Sequence, residues 1–298
     1  MWIAITVAAA LAQTIRNAAQ RQLIAALGTL GATLVRFLYG LPFAVAWLGL
    51  VALVAPQSMP RLDGVFLAWC LVGGVAQIGG TALLLQTIQE RNFAIGVAYS
   101  KTEVVQVAVF SLVLLGDRIG SITALAVLCG TLGVLLIAPA DPNRPFASLL
   151  KGLTSRSALL GLGCGACMAL SSVAYRAATQ SVAEAGFVLA AALALVTAQG
   201  LQTLILGGWL AARRPAVIAQ MLRAWRSCVV AGLMGATASA CWFTAFAMES
   251  ATNVRTVGLI EIVFSYAVSR RFFKERLERR ELVGIALVAL GVAIVVRG

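Results

Sequence analysis

Two acidic side chains lie in the middle of long apolar segments of this sequence. Glu103 falls within the stretch 93–115, and Glu261 falls within 254–273. A charged group at the centre of a membrane helix costs about 2.5–3.5 kcal/mol on insertion scales, so each carboxylate needs a partner or a polar cavity. The carboxylates could carry protons or hold a substrate ammonium group. Alternatively, they are buried groups satisfied by cations that also lie in apolar segments: Lys101, Arg16, Arg36 and Arg176.

Lys101 precedes Glu103 by two residues. Residues two apart on a continuous helix point about 200° away from each other, so the sequence predicts that this lysine and this glutamate do not pair directly. Three roles remain open for Lys101. Its long stem could extend toward the membrane surface, its ammonium could pair with an acid on another helix, or it could contact substrate.

Polar and aromatic side chains recur at spacings of three and four in the other apolar segments, which places each set on one helix face. We expect these faces to line a central cavity. The candidate substrate-binding residues are Gln77, Thr81, Tyr99, Glu103, Ser172, Tyr175, Ser239, Trp242 and Glu261. Lys101, Arg16 and Arg176 are candidate charge partners or coupling residues. The alternative for each Ser or Thr is a bond to its own backbone, and for each aromatic ring it is core packing.

The composition requires a lipid environment. The 298 residues are 61% hydrophobic and 11% charged, with a mean hydropathy of +0.94. Apolar runs of about 20 residues favour helices over a β-barrel, whose strands would alternate over about 10 residues. The predicted fold is an all-α integral membrane protein with ten transmembrane helices. Their approximate ranges are 2–23, 28–54, 65–89, 93–115, 120–138, 157–181, 186–211, 227–249, 254–273 and 281–297.

The two halves of the sequence repeat each other. At an offset of 158 residues, Glu103 aligns with Glu261 and Asp117-Arg118 aligns with Glu275-Arg276. Residues 1–138 form the first predicted five-helix repeat, 139–156 a proline-rich linker, and 157–298 the second repeat. Because five is odd, the second repeat enters the membrane in the opposite orientation. Inverted repeats of this kind are typical of secondary transporters.

Particular motifs extend this interpretation to a family. They are RFLYGLPFA from Arg36, LLGDRIGSITALAVLCGTLGVLLI from Leu114, and FFKERLERRELVGIALVALGVAIVV from Phe272. In these motifs the chain resembles the drug/metabolite transporter superfamily, in its ten-helix form with two EamA-type repeats. It is similar to the bacterial aromatic amino-acid exporter branch. The family often has proline where this chain has Glu103 and Glu261. The resemblance implies a secondary transporter in the bacterial inner membrane that exports small metabolites.

The basic residues predict the orientation of the chain in the membrane. The loops after the odd-numbered spans hold 15 of the 23 Lys and Arg, whereas the other loops and the termini hold four, Arg255 among them. The positive-inside rule places the odd loops in the cytoplasm and both termini outside. The formal net charge of +12 is explained by these loops, which can bind anionic lipid, and requires no nucleic acid.

Several classes of function fit the sequence less well than transport. Histidine is absent and no phosphate-binding G-x-x-x-x-G-K-[ST] motif occurs, so we expect no cofactor and no enzyme activity. The predicted function is a secondary transporter of amino acids, including aromatic and large apolar ones, that works by alternating access as a monomer. A lipid-carrier flippase is an alternative in the same superfamily. A membrane-embedded enzyme and a receptor are alternatives from other classes.

Overall fold

The computed structural model describes residues 1–54, 59–90, 97, 100–101, 103–116, 120–137, 156–274 and 279–297. Within these ranges the chain is helical apart from short turns, and it contains no strand. The first-half helices are α1 (Trp2–Leu38), α2 (Leu41–Val54), α3 (Gly64–Glu90), α4 (Glu103–Phe110) and α5 (Ser121–Ile137). The second half contains α6 (Arg156–Ser181), α7 (Phe187–Gln202), α8 (Gly208–Arg213), α9 (Pro215–Arg223), α10 (Trp225–Met248), α11 (Ala251–Val257), α12 (Glu261–Arg271) and α13 (Arg279–Arg297).

The all-helical membrane class agrees with the sequence prediction. Within the described ranges, five helical segments are long and apolar enough to cross a membrane: Trp2–Val54, Gly64–Glu90, Leu159–Ser181, Phe187–Arg213 and Trp225–Met248. Shorter apolar helices cover Glu103–Leu115, Ser121–Gly133 and Leu282–Gly291. The number of ten spans stays a prediction. The linker 139–156, of which only Arg156 is described, and the Asp117-Arg118 and Glu275-Arg276 pairs lie outside the described residues.

Gly28 divides α1 into two helices. Its φ of 66° and ψ of 172° lie outside the helical region, in a conformation that glycine adopts without steric cost. Gln20 Nε2 donates to the carbonyl of Ala32 at 2.7 Å, although residues 12 apart in one straight helix would lie about 18 Å apart. The chain therefore folds back at Gly28, five residues beyond the predicted end of the first span at residue 23.

The second predicted span, 28–54, is interrupted at Tyr39–Gly40, and Pro42 lies in the first turn of α2. Proline fits this position because its missing amide would have no intrahelical partner there. One further helix was not predicted. The loop between the predicted seventh and eighth spans contains α9, and the hydroxyl of Tyr39 donates to the carbonyl of Met221 in this helix at 3.1 Å.

Helices from the two halves pack against each other in pairs. The most extensive pairs are α1 with α10, α3 with α6, and α5 with α13. Glycines allow this proximity: a Cβ on Gly232 would lie 2.5 Å from the backbone of Tyr39, and one on Gly291 would lie 2.9 Å from the Ala126 carbonyl. Small residues at helix contacts are typical of membrane bundles.

Cys164 and Cys167 belong to such a packing face. The Cβ of Cys167 lies 3.2 Å from where a Cβ on Gly80 would stand, and both thiols are free.

Candidate functional site

The predicted polar residues meet in one buried region between helices of both halves. Gln77 and Thr81 come from α3, Ser172 and Tyr175 from α6, and Ser239 and Trp242 from α10. Glu103 and Glu261 are the first residues of α4 and α12. All eight side chains are at most 8% exposed. The sequence therefore predicted correctly that these faces converge. Their role in binding substrate stays a prediction, and Tyr99 lies outside the described residues.

Glu261 is the centre of the polar contacts. Its Oε2 accepts from Lys101 Nζ at 2.5 Å and from Gln13 Nε2 at 2.6 Å. Its Oε1 accepts from Asn17 Nδ2 at 3.0 Å. Three donors from two distant segments of the chain thus satisfy this fully buried carboxylate, as a buried charge requires.

Lys101 also contacts Glu103, with 3.4 Å between Nζ and Oε1. This corrects the prediction that the two residues do not pair. The expectation assumed one continuous helix over 93–115, but Lys101 lies in a turn and α4 begins only at Glu103. The two side chains therefore do not have the opposed directions that one continuous helix would give them. Of the roles left open for Lys101, pairing with acids is the one observed.

Glu103 has a second cation beside it. Arg255 Nη1 lies 3.5 Å from Glu103 Oε1, and Arg255 Nε donates to Ser172 Oγ at 2.8 Å. The guanidinium stands over the ring of Trp242, 4.5 Å from its centroid. Arg255 is only 5% exposed, so its assignment to a loop in the charge count is wrong. The alternate loops and termini therefore hold one basic residue fewer than counted.

Both carboxylates lie at the beginning of a helix. The 3₁₀ turn Gly258–Ile260 precedes Glu261, as the turn at Lys101 precedes Glu103. Glu261 has helical φ and ψ, and its amide donates to the carbonyls of Gly258 and Leu259, so the chain passes from this turn into α12 without a free helix end.

Arg16 and Arg36 are the largest fully buried polar side chains of the region. Arg16 donates to Asn17 Oδ1 from Nε at 3.2 Å and from Nη2 at 2.6 Å. Arg36 donates to Thr81 Oγ1 at 3.0 Å and to Ser239 Oγ at 3.3 Å. These partners are neutral, so the positive charges of both arginines are solvated by dipoles rather than by direct ion pairs.

Tyr175 belongs to a neutral part of the same region. Its hydroxyl donates to Gln77 Oε1 at 3.2 Å, and Gln202 Nε2 donates to that oxygen at 2.8 Å. The ring packs on Phe243 with 4.1 Å between centroids. A Cβ on Gly73 would lie 2.7 Å from the Tyr175 ring, so the ring occupies the space that this glycine leaves.

Trp242 joins α10 to α1. Its Nε1 donates to Gln13 Oε1 at 2.9 Å, and the same glutamine donates to Glu261. The indole also lies against Gly258, where a Cβ would approach Cη2 within 2.6 Å. Trp242 thus connects α10 to the charged side chains around Glu261.

Arg176 has a different position from the other predicted cations. Its Nη1 donates to the carbonyls of Phe246, at 2.9 Å, and Glu249, at the end of α10. Cations are favoured near the carboxyl end of a helix, where carbonyls lack intrahelical donors. The geometry therefore gives this arginine a capping role.

Sequence reasoning left several members of the region out of the site. Gln13 and Asn17 were recognisable as polar residues on the face of Arg16, and Arg36 was considered only as a structural partner. Arg255 was missed because it lies near the predicted start of a span. Gln202 was missed because its helix is more uniformly apolar than those that carry the polar faces. The missed residues are Gln13, Asn17, Arg36, Gln202 and Arg255.

Two apolar cavities lie beside this region. One of about 510 Å³ is lined by residues that include Met1, Trp47 and Phe187, and one of about 290 Å³ lies between residues that include Phe43 and Leu195. None of the predicted site residues lines either cavity. The polar centre itself is closed in this conformation, since its charged side chains are at most 5% exposed.

The comparisons with known proteins agree with the helical architecture. Residues 155–297 match the model of the EamA-like transporter family. This match covers just under half of the chain, whose second half is therefore similar to EamA-like transporters. No curated protein matches the sequence.

Among solved structures, one titled "Crystal structure of protein" matches this chain with a TM-score of 0.66 and 18% sequence identity. The match covers 98% of this chain and 94% of the chain in that structure. At this identity the likeness shows a shared fold.

Proposed function

We propose that this protein is a secondary transporter that exports small metabolites, and that amino acids, including aromatic and large apolar ones, are its first candidate substrates. The observation that carries the proposal is the buried Lys101–Glu261 pair, which connects segments from the two halves of the chain. A charged group buried inside a membrane bundle is costly and is by default a candidate for a functional site.

The mechanism we propose is alternating access around this polar centre. Two observations support it. Both carboxylates adjoin irregular backbone, namely the turn at Lys101 and the 3₁₀ turn Gly258–Ile260, and a stretch of 3₁₀ within a helix often marks a hinge. In addition, exchanging the two predicted repeats would carry the α1–α10 pair onto the α6–α3 pair and would carry the α5–α13 pair onto itself. This pairing favours two related five-helix units over 1–138 and 157–298, which could rock about a shared site.

The remaining parts of the proposal concern setting and assembly. We infer a bacterial inner-membrane protein with both termini outside, because the basic loops then face the cytoplasm. The buried location of Arg255 strengthens that charge asymmetry. A monomer is sufficient, since one chain supplies every residue of the polar centre. Proton coupling through Glu103 or Glu261 is one means of driving export.

Uptake into liposomes tests the proposal. The purified protein is reconstituted, and labelled amino acids and other small organic solutes are supplied with and without a pH gradient. We expect saturable uptake of at least one solute class, absent from protein-free liposomes. Scrambling of labelled lipid without uptake of any soluble solute would support the flippase instead. If the folded, inserted protein showed neither solute uptake nor lipid scrambling, the proposal of a transporter would be refuted.

A further inference from the structure

The buried polar centre carries more positive than negative charge. Among the described residues, its ionisable members are two carboxylates, Glu103 and Glu261, and four cations, Arg16, Arg36, Lys101 and Arg255. Elsewhere, the carboxylates whose side chains the structure describes are Asp63, Glu90, Glu184 and Glu249, and none of these is buried. Arginine stays protonated in proteins, so the excess positive charge cannot be removed by losing a guanidinium proton.

The two carboxylates are already occupied. Glu261 accepts from Lys101, Gln13 and Asn17, and Glu103 lies beside Lys101 and Arg255. A solute ammonium would have to displace one of these donors. Capture of an ammonium group by the glutamates, which the sequence alone left open, is therefore disfavoured by the geometry.

Arg16 and Arg36 have the opposite situation. Both side chains run past Gly235, since a Cβ there would lie 3.4 Å from Arg16 Cδ and 3.1 Å from Arg36 Cγ. Neither guanidinium has a carboxylate within ion-pair distance among the described residues. Arg16 Nη1 and Arg36 Nε are buried without any hydrogen-bond partner. Unpaired buried donors on charged groups are rare because their desolvation is uncompensated.

We propose that Arg16 and Arg36 hold the carboxylate of the transported solute, and that the solute is therefore recognised as an organic anion rather than through an ammonium group. This inference rests on the proposed transport function. A carboxylate supplies negative charge and lone pairs for both guanidinium groups. The hydroxyls of Thr81 and Ser239 accept from Arg36, so each keeps its own proton to donate to an oxyanion bound there.

Binding is tested with solutes that differ in one group. The full chain is placed in phosphatidylcholine nanodiscs, and its thermal unfolding is followed with acetate, succinate, 3-phenylpropanoate, phenylalanine and phenethylamine. We expect the phenylpropanoate and phenylalanine, which share a carboxylate, to raise the unfolding temperature. Phenethylamine, which keeps only the ammonium, should leave it unchanged. A shift with the amine equal to that with the acid would overturn the proposal, as would no shift with any of the four carboxylates.

Variants connect the shift to the two arginines. Arg36→Gln and Arg16→Gln should each weaken carboxylate binding by about 10- to 100-fold, the range for a lost charge-assisted bond. Arg36→Lys should weaken carboxylate binding less, since lysine keeps the positive charge but lacks the paired donors with which a guanidinium binds both carboxylate oxygens. The control is Arg270→Gln, because Arg270 is exposed. Unchanged affinity in both glutamine variants would remove the two arginines from the site.

The unfolding temperature of each variant without ligand shows whether weaker carboxylate binding results from misfolding. Because Arg36 is an unpaired cation in the unliganded protein, we expect Arg36→Gln to unfold at or above the wild-type temperature. A large fall would assign it a structural role instead.

Two further arms separate the possible sources of failure. Nanodiscs that contain phosphatidylglycerol test whether a lipid headgroup supplies the anion; stabilisation by that lipid alone, without any effect of soluble carboxylates, would contradict the proposal. Uptake into liposomes is measured with the same solutes. Carboxylate binding without flux would refute transport and leave the anion site intact, whereas uptake of phenethylamine in place of phenylpropanoate would leave transport intact and refute the anion site.

Discussion

Lys101 Nζ lies 2.5 Å from Glu261 Oε2 and joins two segments that are 160 residues apart in the sequence. The ion pair is buried between the two halves of the chain, at the beginning of α12. A buried pair is weak proof of stability, because the cost of dehydrating both ions offsets their attraction. Under the alternating access proposed above, its position between the two halves would let it take part in their relative movement.

Neutralising Glu261 should impair transport more than neutralising Glu103. Glu261 accepts three hydrogen bonds, including the short one from Lys101, whereas the contacts of Glu103 with Lys101 and Arg255 are 3.4 and 3.5 Å long. We expect Glu261→Gln to lower the initial uptake rate by about tenfold or more, in line with the cost of unpairing a buried charge. If Glu261 carries the proton, stimulation by a pH gradient is lost as well. The control is Glu184→Gln, an exposed acid.

Removing Lys101 should destabilise the protein through Glu261. Lys101→Met leaves a buried carboxylate without its closest cation, which costs about 3–5 kcal/mol in typical buried pairs. Lys101→Met combined with Glu261→Gln should recover most of the loss, since no uncompensated charge then remains. Denaturant unfolding in detergent gives the free energy of unfolding of the wild type, the two single variants and the double variant. Additive effects of the two substitutions would show that the contact is energetically silent.

Trp242 can be tested by separating its two contacts. Trp242→Phe removes the Nε1 donor to Gln13 but keeps an aromatic face beneath Arg255. Trp242→Leu removes both, and the cation–π contribution is about 2 kcal/mol when desolvated. We therefore expect uptake to fall in the order wild type, Phe, Leu. Equal uptake in all three proteins would mean that Trp242 only fills space.

Close packing of α1 on α10 predicts that one glycine cannot be replaced. Gly232→Ala would place a Cβ 2.5 Å from the Tyr39 backbone, which cannot move aside as a flexible side chain could. Overpacking of this kind costs about 1–3 kcal/mol. Gly200→Ala is the matched control, since nothing lies within 4 Å of its Cβ position. Thermal unfolding in detergent should show a loss only for Gly232→Ala.

The orientation in the membrane can be measured with reporter fusions. With both termini outside, an alkaline phosphatase fused after the last residue should be active, and a fluorescent protein that folds only in the cytoplasm should be dark. A bright fluorescent fusion would show that the orientation predicted from the loop charges is wrong.

The sequence alone indicated the lipid environment, the all-helical class and the polar helix faces that meet in the buried region. These properties depend on composition and on periods of three and four residues, which are local and survive any arrangement of the helices. Glu103 and Glu261 were recognisable because a charged residue in an apolar run has a large energetic cost wherever it is placed. The same argument identified Lys101, Arg16 and Arg36 as residues that need partners.

Only the tertiary structure decided which charges pair. Lys101 lies in a turn from which its ammonium reaches both glutamates, and a turn that contains no proline leaves little trace in the sequence. Arg255 enters the centre because it lies within α11 with its side chain buried beside Trp242 and Glu103, although it was counted with the loops. Pairing is a property of distances between segments, so the sequence could not show that the glutamates are occupied while Arg16 and Arg36 retain unpaired donors.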